Sequence, residues 1–458
     1  MTAVIPAEPP AHPATGLPTF AEAAWLWLRI GCLSFGGPAG QIALLHREVV
    51  DERNWISDRR FLHALNFCTL LPGPEAQQLA TYLGWLMHGA KGGVVAGLSF
   101  VIPGALVMLA LSVIYVTFGE IPLVAALFFG LKSAVLVLVV EALLRIGRRA
   151  LKGWLAWTLS ALAFIALFFF AVPFPIVVLT AGLIGFIAPS HFAGGAHRKA
   201  ADGPPAALDA VLDADPGHIE RMSRAARRAG FIASALWLLP VALLLRVGGV
   251  YRDIAWFFSK MAVVTFGGAY AVLAYVAQQA VAGYHWLSAS EMLAGLGLAE
   301  TTPGPLILVL QFVGFLAGYR ATGGLSGIAG GVAASALTLW VTFAPCFVFV
   351  FFGAPLVERL HGNRALSGAL AAVTAAVVGV IANLAVWFAL HALFKALIPV
   401  RLALISFDAP VLDSLDPFAF GLAVVAAVAL LRLKLGVPRT LGICAAASIA
   451  LQLIVRGV

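Results

Sequence analysis

The stretch Leu70-Leu71-Pro72-Gly73-Pro74-Glu75 interrupts a long apolar segment, and Glu300-Thr301-Thr302-Pro303-Gly304-Pro305 interrupts another. Proline removes a backbone donor and clashes with the preceding turn, while glycine relaxes the backbone, so we predict a helix break at each site. Broken backbone at membrane depth is tolerated only where protein buries it or where it lines a cavity. The alternative is a plain kink, which is common in membrane helices.

The two Pro-Gly-Pro motifs belong to an internal duplication. The same residues stand 231 positions apart in the pairs Trp25 and Trp256, Phe35-Gly36-Gly37 and Phe266-Gly267-Gly268, Trp55 and Trp286, Ser57 and Ser288, and Gly92-Gly93 and Gly323-Gly324. Duplicated membrane halves with interrupted helices are typical of secondary transporters, which build their substrate sites at such interruptions.

The composition indicates an all-α polytopic membrane protein. Hydrophobic residues make up 62% of the 458 positions, charged residues only 11%, and mean hydropathy is +0.98. Soluble domains carry roughly 25% charged residues. Apolar runs long enough to cross a bilayer follow one another from end to end. They leave no room for a soluble catalytic domain, and the chain contains no nucleophile–base or HExxH motif, so we expect neither an enzyme nor a cofactor.

The cysteines and the net charge exclude other classes of function. The four cysteines lie in apolar segments without CxxC or His/Cys spacing, so neither a disulfide framework nor a metal site is indicated. The net charge is +8, but most Lys and Arg residues lie in short loops beside apolar segments. This is the pattern that orients membrane proteins, and we therefore expect a lipid bilayer and no nucleic acid as partner.

The apolar pattern predicts about thirteen transmembrane helices in five regions. These are a flexible N-terminal tail (1–19), a first repeat (20–190), a cytoplasmic linker (191–229), a connecting transmembrane helix (230–250) and a second repeat (251–458). Each repeat holds six helices. Because seven crossings separate the starts of the two repeats, we predict that the second is inverted relative to the first, about a two-fold axis in the membrane plane.

Loop charge predicts a cytoplasmic N-terminus and a periplasmic C-terminus, because most basic loops then face the cytoplasm. One segment disagrees, since Arg47, Arg53, Arg59 and Arg60 would lie outside. Either neighbouring acidic residues neutralise them, or the Phe35-Gly36-Gly37 region is re-entrant and the parity is wrong. We favour neutralisation.

The half-helix that restarts after each Pro-Gly-Pro directs unpaired N–H groups and a positive dipole end into the cavity, which favours an anion. The paired glycines after Phe35 and Phe266 permit close helix packing or backbone approach to a ligand. A base stands six residues before each Phe, at Arg29 and Lys260. Within an apolar helix such a base is either functional or extends to the headgroups.

Polar residues cluster near both breaks. The candidates for binding substrate are Arg29, Phe35, Gly36, Gly37, Thr69, Pro72, Gly73, Pro74, Gln77, Gln78, Lys260, Phe266, Gly267, Gly268, Thr301, Thr302, Pro303, Gly304, Pro305 and Gln311. Glu75 and Glu300 are not repeat mates, and a carboxylate in an apolar site suits proton coupling. The alternative is that each carboxylate is a structural partner for Arg29 or Lys260.

The residues themselves resemble a known family. Phe-Gly-Gly-Pro at 35–38, Trp-Ile-Ser at 55–57, LLPGPEAQQLATYLGW at 70–85 and the second copy at 265–268, 286–288 and 302–305 are similar to the long, two-domain form of the chromate ion transporters. The second copy departs from the first at Pro38, which becomes Ala269, and at Glu75, which becomes Leu306. The halves are therefore not expected to contribute identical ligands.

The resemblance implies proton-driven efflux of chromate from the cytoplasm across the bacterial inner membrane, giving chromate resistance, with sulfate as a related oxyanion. The alternative is transport of sulfate or another small anion or solute on the same scaffold. A homodimer is a further possibility. A purely structural membrane protein does not explain why breaks and bases recur together.

Overall fold

The computed structural model describes residues 17–192, 206–215, 217–266, 268–354, 364–402 and 405–456. Most of the predicted tail (1–19), part of the predicted linker (191–229) and the candidate Gly267 lie outside these ranges. Helices dominate the described residues, which confirms the expectation of an all-α membrane protein.

The first half consists of helices that are separated at the duplicated motifs. Their bounds are α1 Phe20–Leu33, α2 Gly37–His46, α3 Asp58–Cys68, α4 Glu75–Phe118, α5 Pro122–Ala150, α6 Trp154–Phe168 and α7 Phe174–Ile187. Phe35-Gly36 separates α1 from α2, and Pro72-Gly73-Pro74 separates α3 from α4. The predicted break at the first Pro-Gly-Pro is therefore present.

The linker and the second half continue the same pattern. Their helices are α8 Ala207–Ala214, α9 His218–Val247, α10 Gly249–Val264, α11 Ala269–Gln278, α12 Ala289–Thr301, α13 Val309–Tyr319, α14 Gly327–Gly353, α15 Arg364–Leu393, α16 Pro417–Ala427 and α17 Val437–Arg456. The second Pro-Gly-Pro separates α12 from α13, with a short 3₁₀ turn at Leu306–Leu308. Both predicted breaks thus occur at equivalent places.

Repeated serine caps explain where the third helix of each half starts. The Ser57 side chain accepts a hydrogen bond from the backbone N–H of Arg60, and Ser288 accepts one from Glu291. These caps satisfy backbone donors that have no partner within the helix. The duplicated Trp-x-Ser sequence is therefore a helix-start signal.

Among the described residues, six helices are long and apolar enough to cross a membrane. They are Glu75–Phe118, Pro122–Ala150, Glu220–Val247, Gly327–Gly353, Arg364–Leu393 and Val437–Ile454. Shorter apolar helices, such as Trp154–Phe168 and Phe174–Ile187, lie between them. The chain is therefore a multi-pass membrane protein.

Helix α4 is two antiparallel arms rather than one long rod. The backbone leaves helical geometry at His88 and Gly89, where φ of Gly89 is +64°. A Cβ placed on Gly84 would lie 2.5 Å from the carbonyl oxygen of Gly92. Eight residues of continuous helix would separate these positions by about 12 Å, so the second arm folds back on the first. The chain therefore reverses direction at His88 and Gly89.

The second half has an equivalent reversal between α13 and α14. A Cβ on Gly318 would lie 2.4 Å from the carbonyl oxygen of Gly330. Gly92-Gly93 lies within a helix, whereas Gly323-Gly324 precedes α14. The two Gly-Gly pairs are therefore not structural mates, although their spacing in sequence suggested it, because the connection before α14 is longer.

Four segments are interrupted, namely α1–α2, α3–α4, α10–α11 and α12–α13. In each of them the chain folds back as a hairpin instead of continuing across the molecule. Arg320, just after α13, donates from Nη1 to Oε2 of Glu291 at the start of α12, at 3.0 Å. The rings of Phe257 in α10 and Trp286 beyond α11 are 5.8 Å apart. In the first half, Arg29 in α1 lies 3.9 Å from Glu48 beyond α2, and the rings of Phe67 in α3 and Tyr82 in α4 are 5.2 Å apart. These contacts join the entering arm of a hairpin to its returning arm.

The loop 47–60 and the linker helix α8 lie together at one end of the molecule. Arg60 donates to Asp209 at 2.7 Å, and the backbone N–H of Leu208 donates to the carbonyl oxygen of Trp55 at 3.0 Å. We call this end the linker end. The sequence interpretation put the loop and the linker on opposite sides. That interpretation differs from the structure because it counted the first two interrupted segments as full crossings.

A long helix of each half packs against helices of the other half. Helix α5 of the first half packs against α16 and α17 of the second, and α15 of the second packs against α6 and α7 of the first. The halves therefore share one interior instead of forming two separate bundles.

A short antiparallel strand pair was not expected from the sequence. Strands β1 Leu397–Leu402 and β2 Ile405–Pro410 follow α15, whereas the apolar pattern predicted only helices in 251–458. Pro399 and Pro410 disfavour continued helix, and Phe407 packs on Phe168 at 5.8 Å between ring centroids. The strand pair thus covers the connection between α6 and α7.

Candidate functional site

Each hairpin has a Phe-Gly-Gly or a Pro-Gly-Pro motif at its tip. The four tips form two pairs, and each pair joins one half to the other. The backbone N–H of Gly73 donates to the carbonyl oxygen of Thr265 at 2.9 Å, and Gly304 donates to Ser34 at 2.8 Å. Gly73 and Gly304 are repeat mates, and so are Ser34 and Thr265, because each pair is separated by 231 positions. Each Pro-Gly-Pro tip of one half is therefore bonded to the Phe-Gly-Gly tip of the other half.

The tip glycines adopt backbone conformations that other residues rarely take. The φ angles are +123° at Gly73 and +88° at Gly304. A Cβ on Gly73 would also lie 2.9 Å from Nε2 of Gln78 and 3.0 Å from Sγ of Cys346. The dihedral at this tip therefore favours glycine, and a Cβ would have to displace the side chains of Gln78 and Cys346.

The Phe-Gly-Gly tips border open space. A Cβ on Gly36, Gly37 or Gly268 would have no neighbour within 4 Å, and all three have positive φ. Helices α2 and α11 begin directly after these tips, and α4 and the Leu306–Leu308 turn begin after the Pro-Gly-Pro tips. Helix starts present unpaired N–H groups and positive dipole ends, which suit an anion.

Glu75 distinguishes the first half from the second. It is the first residue of α4, and it lines a cavity of about 300 Å³ together with Thr69, Phe266 and Thr374. Its carboxylate has no hydrogen-bond or ion-pair partner among the described residues. In the second half Leu306 takes this position and is buried. Only the first half therefore has a carboxylate directly after its Pro-Gly-Pro motif, at the start of the next helix.

Glu300 lies at the end of α12 and is 8% exposed. Its Oε1 accepts a hydrogen bond from the hydroxyl of Tyr270 on α11 at 2.6 Å. The structural-partner alternative paired the two glutamates with Arg29 or Lys260. The structure pairs Glu300 with a tyrosine, which the sequence reasoning missed.

Thr301 lines a second cavity, of about 490 Å³, together with Phe35 and Leu298. The hydroxyls of Thr301 and Thr69 both donate to backbone carbonyls of their own helices, at 2.8 Å, as does Thr302 at 2.9 Å. Their hydroxyl oxygens remain available as acceptors, while their protons are already engaged.

The three candidate glutamines are buried, and they have different roles. Gln78 donates to the carbonyl oxygen of Pro72 at 2.7 Å and holds the first Pro-Gly-Pro tip. Gln77 donates to Thr81 within α4, and Gln311 donates to Ala105, tying α13 to α4. The Oε1 atom of each glutamine has no partner in the described ranges. Only Gln78 contacts a tip directly.

Arg29 and Lys260 lie on the entering arms rather than at the tips. The Arg29 side chain is 49% exposed and approaches the buried Glu48, which also pairs with Arg53 at 2.7 Å. The Lys260 ammonium lies 6.0 Å from the centre of the Phe257 ring. The structure therefore does not group these bases with the Pro-Gly-Pro residues.

Gln41 joins the site although the sequence did not single it out. It is 1% exposed, and its Nε2 donates to the carbonyl oxygen of Gly304 at 2.6 Å and to that of Ser34 at 3.4 Å. The Ser34 hydroxyl is buried without a partner among the described residues. A polar residue four positions after Gly37 was the available signal, but the repeat mate of Gln41 is Val272.

Comparisons with known proteins agree with the motifs. The sequence profile of the family described as "Chromate transporter" matches residues 21–186 and 252–451. A chromate transport protein of Pseudomonas aeruginosa is 36% identical over 361 residues, which cover 78% of this chain and 77% of that protein. A probable chromate transport protein of Synechococcus elongatus is 27% identical over 81% of this chain and 84% of that protein.

A shorter relative matches a smaller part of the chain. The uncharacterized transporter YwrB of Bacillus subtilis is 33% identical over 141 residues, which cover 31% of this chain and 71% of that protein. No solved structure matches the chain. The profile covers both halves, and the chain therefore belongs to the chromate transporter family.

Proposed function

We propose that this protein exports chromate from the cytoplasm across the bacterial inner membrane in exchange for protons, and so gives chromate resistance. Relatives that are similar over more than three quarters of the chain are named chromate transport protein and probable chromate transport protein. The observation that carries the proposal is the reciprocal bonding of the tips, Gly73 to Thr265 and Gly304 to Ser34. It joins each interrupted segment of one half to an interrupted segment of the other half.

The reciprocal bonds also support two inverted repeats. Equivalent contacts made twice, with the partners exchanged, are what a two-fold relation between repeats produces. In place of thirteen crossings, we propose nine crossings and four re-entrant hairpins. Five crossings then separate the repeats, namely the second arm of α4, then α5, α6, α7 and α9. Because five is odd, the hairpins of the two halves enter from opposite sides.

Charge supports a cytoplasmic linker end. With the loop 47–60 beside the linker, its arginines join Arg148, Arg149, Arg228 and Lys434 at one end of the molecule. The exception to the charge rule disappears with this arrangement. At the opposite end, two of the bases are paired with carboxylates, Arg320 with Glu291 and Lys395 with Asp416. The N-terminus is then cytoplasmic and the C-terminus periplasmic.

The proposed substrate site is the meeting point of the tips. A tetrahedral dianion there would accept hydrogen bonds from the backbone N–H groups that start α2, α4, α11 and the 306–308 turn. The unpartnered Ser34 hydroxyl supplies a further donor. The predicted motif residues at 35–37, 72–74, 303–305, 266 and 268 would supply the backbone. Arg29 and Lys260 would attract the anion along the entering arms.

The proposed proton carriers are Glu75 and Glu300. Glu75 borders a cavity, and Glu300 shares a hydrogen bond with Tyr270, so the two carboxyls have different surroundings. Glu75 stands at a helix start beside the proposed site, so its protonation state would affect anion binding there.

Purified protein in proteoliposomes tests the function. We expect uptake of labelled chromate that an imposed pH gradient accelerates, with sulfate as a competitor. If neither anion moves under any gradient while another solute does, the scaffold carries that solute instead. If sulfate moves and chromate does not, the alternative of a sulfate transporter is correct.

A further inference from the structure

A long apolar groove lies on the membrane-facing side of the molecule, away from the tips. It has a volume of about 450 Å³ and is formed by the second arm of α4, by α9 and by α14. Val94 and Ala229 line one end, and Ala105, Leu236 and Trp340 line the other. The groove therefore lies where the first half, the connecting helix and the second half meet.

The length of the groove matches one leaflet of a bilayer. Val94 and Ala105 are eleven residues apart on one helix, which corresponds to about 16 Å. The hydrocarbon core of a bilayer is about 30 Å thick, so the groove covers roughly half of it. Near the inner end, the Trp340 indole N–H donates to the carbonyl oxygen of Leu236 at 2.9 Å and joins α14 to α9. A spanning helix of a partner would not stop at this depth.

The outer end of the groove is at the linker end of the molecule, and two glycine contacts align its helices there. A Cβ on Gly93 would lie 3.0 Å from the Phe351 ring, and one on Gly230 would lie 3.0 Å from the Phe352 ring. Because Phe351 and Phe352 are consecutive, Gly93 of α4 and Gly230 of α9 lie at the same level.

Two bases stand directly above this level. Lys91 precedes Gly93 by two residues, Arg228 precedes Gly230 by two, and both side chains are exposed. Lys91 lies three residues before Val94, and Arg228 lies four residues before Ile232, so each shares the helix face that lines the groove. Neither base has an ion-pair partner in the described part of the chain.

We propose that this groove binds an anionic phospholipid of the leaflet at the linker end. One acyl chain occupies the apolar channel, and the phosphate lies between Lys91 and Arg228. A basic pair above an apolar slot of one-leaflet depth matches the two parts of such a lipid. A lipid held there contacts both halves and the connecting helix at once. It therefore stabilises their arrangement.

The test measures lipid binding to the purified full-length chain. Protein in neutral detergent is titrated with phosphatidylglycerol or with phosphatidylcholine of the same acyl chains, and bound lipid is counted by native mass spectrometry. We expect tight binding of one phosphatidylglycerol and no comparable site for phosphatidylcholine. The Lys91→Gln, Arg228→Gln double variant should bind phosphatidylglycerol roughly 30-fold more weakly, from the loss of two basic contacts.

Matched variants on α9 separate the groove from general effects. Ala233→Phe fills the groove, whereas Ala235→Phe adds the same ring to an exposed position that does not line it. Arg227→Gln is the control for the charge. Only Ala233→Phe and the Lys91/Arg228 variants should lose the bound lipid.

Two results would overturn the proposal. One is equal binding of both lipids, or equal loss in the matched controls. The other is a dimer that Ala233→Phe dissociates while lipid binding is unchanged, which would make the groove an interface between copies of the chain. The readout contains no transport step, so the outcome is independent of the proposed function.

Discussion

Gly73 donates its backbone N–H to the carbonyl oxygen of Thr265 at 2.9 Å, and this bond joins the first Pro-Gly-Pro tip to the Phe-Gly-Gly tip of the other half. Backbone bonds at a tip do not depend on side-chain rotamers. They therefore fix how deep each hairpin extends. Any movement of one half relative to the other must act on these bonds.

Alanine at either tip glycine should impair both stability and transport. At Gly73 and Gly304 the positive φ makes alanine about 1–2 kcal/mol less favourable. At Gly73 the new methyl group also collides with Gln78 and Cys346. We expect a thermal inactivation midpoint lower by a few degrees and chromate uptake reduced at least tenfold, with Gly73→Ala the more severe.

Gly421→Ala is the matched control, because Gly421 lies in α16 with no neighbour within 4 Å of a new Cβ and no positive φ. Uptake and stability should be unchanged in this variant. Wild-type uptake in both tip variants would show that the tips do not need their observed conformation.

The re-entrant hairpins predict on which side three exposed positions lie. In a background with the four native cysteines replaced, single cysteines are introduced as Arg59→Cys, Arg149→Cys and Asp413→Cys. Because the loop 47–60 bonds to the linker helix, positions 59 and 149 should react with a membrane-impermeant maleimide from the same side. Position 413, beside the strand pair, should react only from the other side.

Thirteen full crossings give a different result, since position 59 would then label together with position 413. The comparison needs no assumption about which side is cytoplasmic. Labelling of intact cells then assigns the side, and we expect only position 413 to react from outside.

The duplicated motifs were enough to predict the breaks, but not the path of the chain around them. Pro-Gly-Pro ends a helix for local reasons that proline and glycine carry with them. Whether the next arm continues or returns depends on contacts between distant residues, such as Glu291 with Arg320. An apolar run has the same composition in a crossing and in a hairpin.

The site was predictable for similar reasons. Gly73 and Gly304 could be identified because both carry the repeated motif, and Glu75 because it breaks the repeat. Gln41 could not, since Val272 is its mate and its bond to Gly304 crosses between the halves. Arg29 was misplaced because its partner, Glu48, becomes adjacent only when α2 folds back.

His46 should make stability depend on pH at the linker end. Partial burial alone would lower its pKa, but hydrogen bonds to Asp58 at 2.8 Å and Asp51 at 3.1 Å outweigh burial and raise the pKa. The stabilisation by charged His46 is therefore complete below its ordinary pKa of about 6.5, and it is lost as the pH rises through the raised value.

The measurement is the difference in thermal inactivation midpoint between wild type and His46→Gln. The wild type should have its full advantage near about pH 6, and the advantage should shrink by about pH 9. In an Asp51→Asn, Asp58→Asn background, the His46→Gln difference should no longer change with pH. A constant difference in the wild-type background would exclude the charged pair.

Glu75→Gln and Glu300→Gln separate proton coupling from anion binding. Glutamine keeps the shape of each side chain but cannot carry a proton between the two sides. If Glu75 is the carrier, Glu75→Gln should still exchange chromate for chromate, while the acceleration by a pH gradient disappears. Glu300→Gln should have the same effect if that carboxyl participates.

Tyr270→Phe distinguishes a proton carrier from a structural bond at Glu300. It removes the hydroxyl that donates a hydrogen bond to Glu300 at 2.6 Å, and it leaves the ring in place. For a carrier, the pH dependence of uptake should shift in Tyr270→Phe, because the charged carboxylate loses its donor. For a purely structural bond, stability alone should fall. Unchanged pH profiles in all three variants would remove both glutamates from the mechanism, and the carrier would then have to be sought elsewhere on the tips.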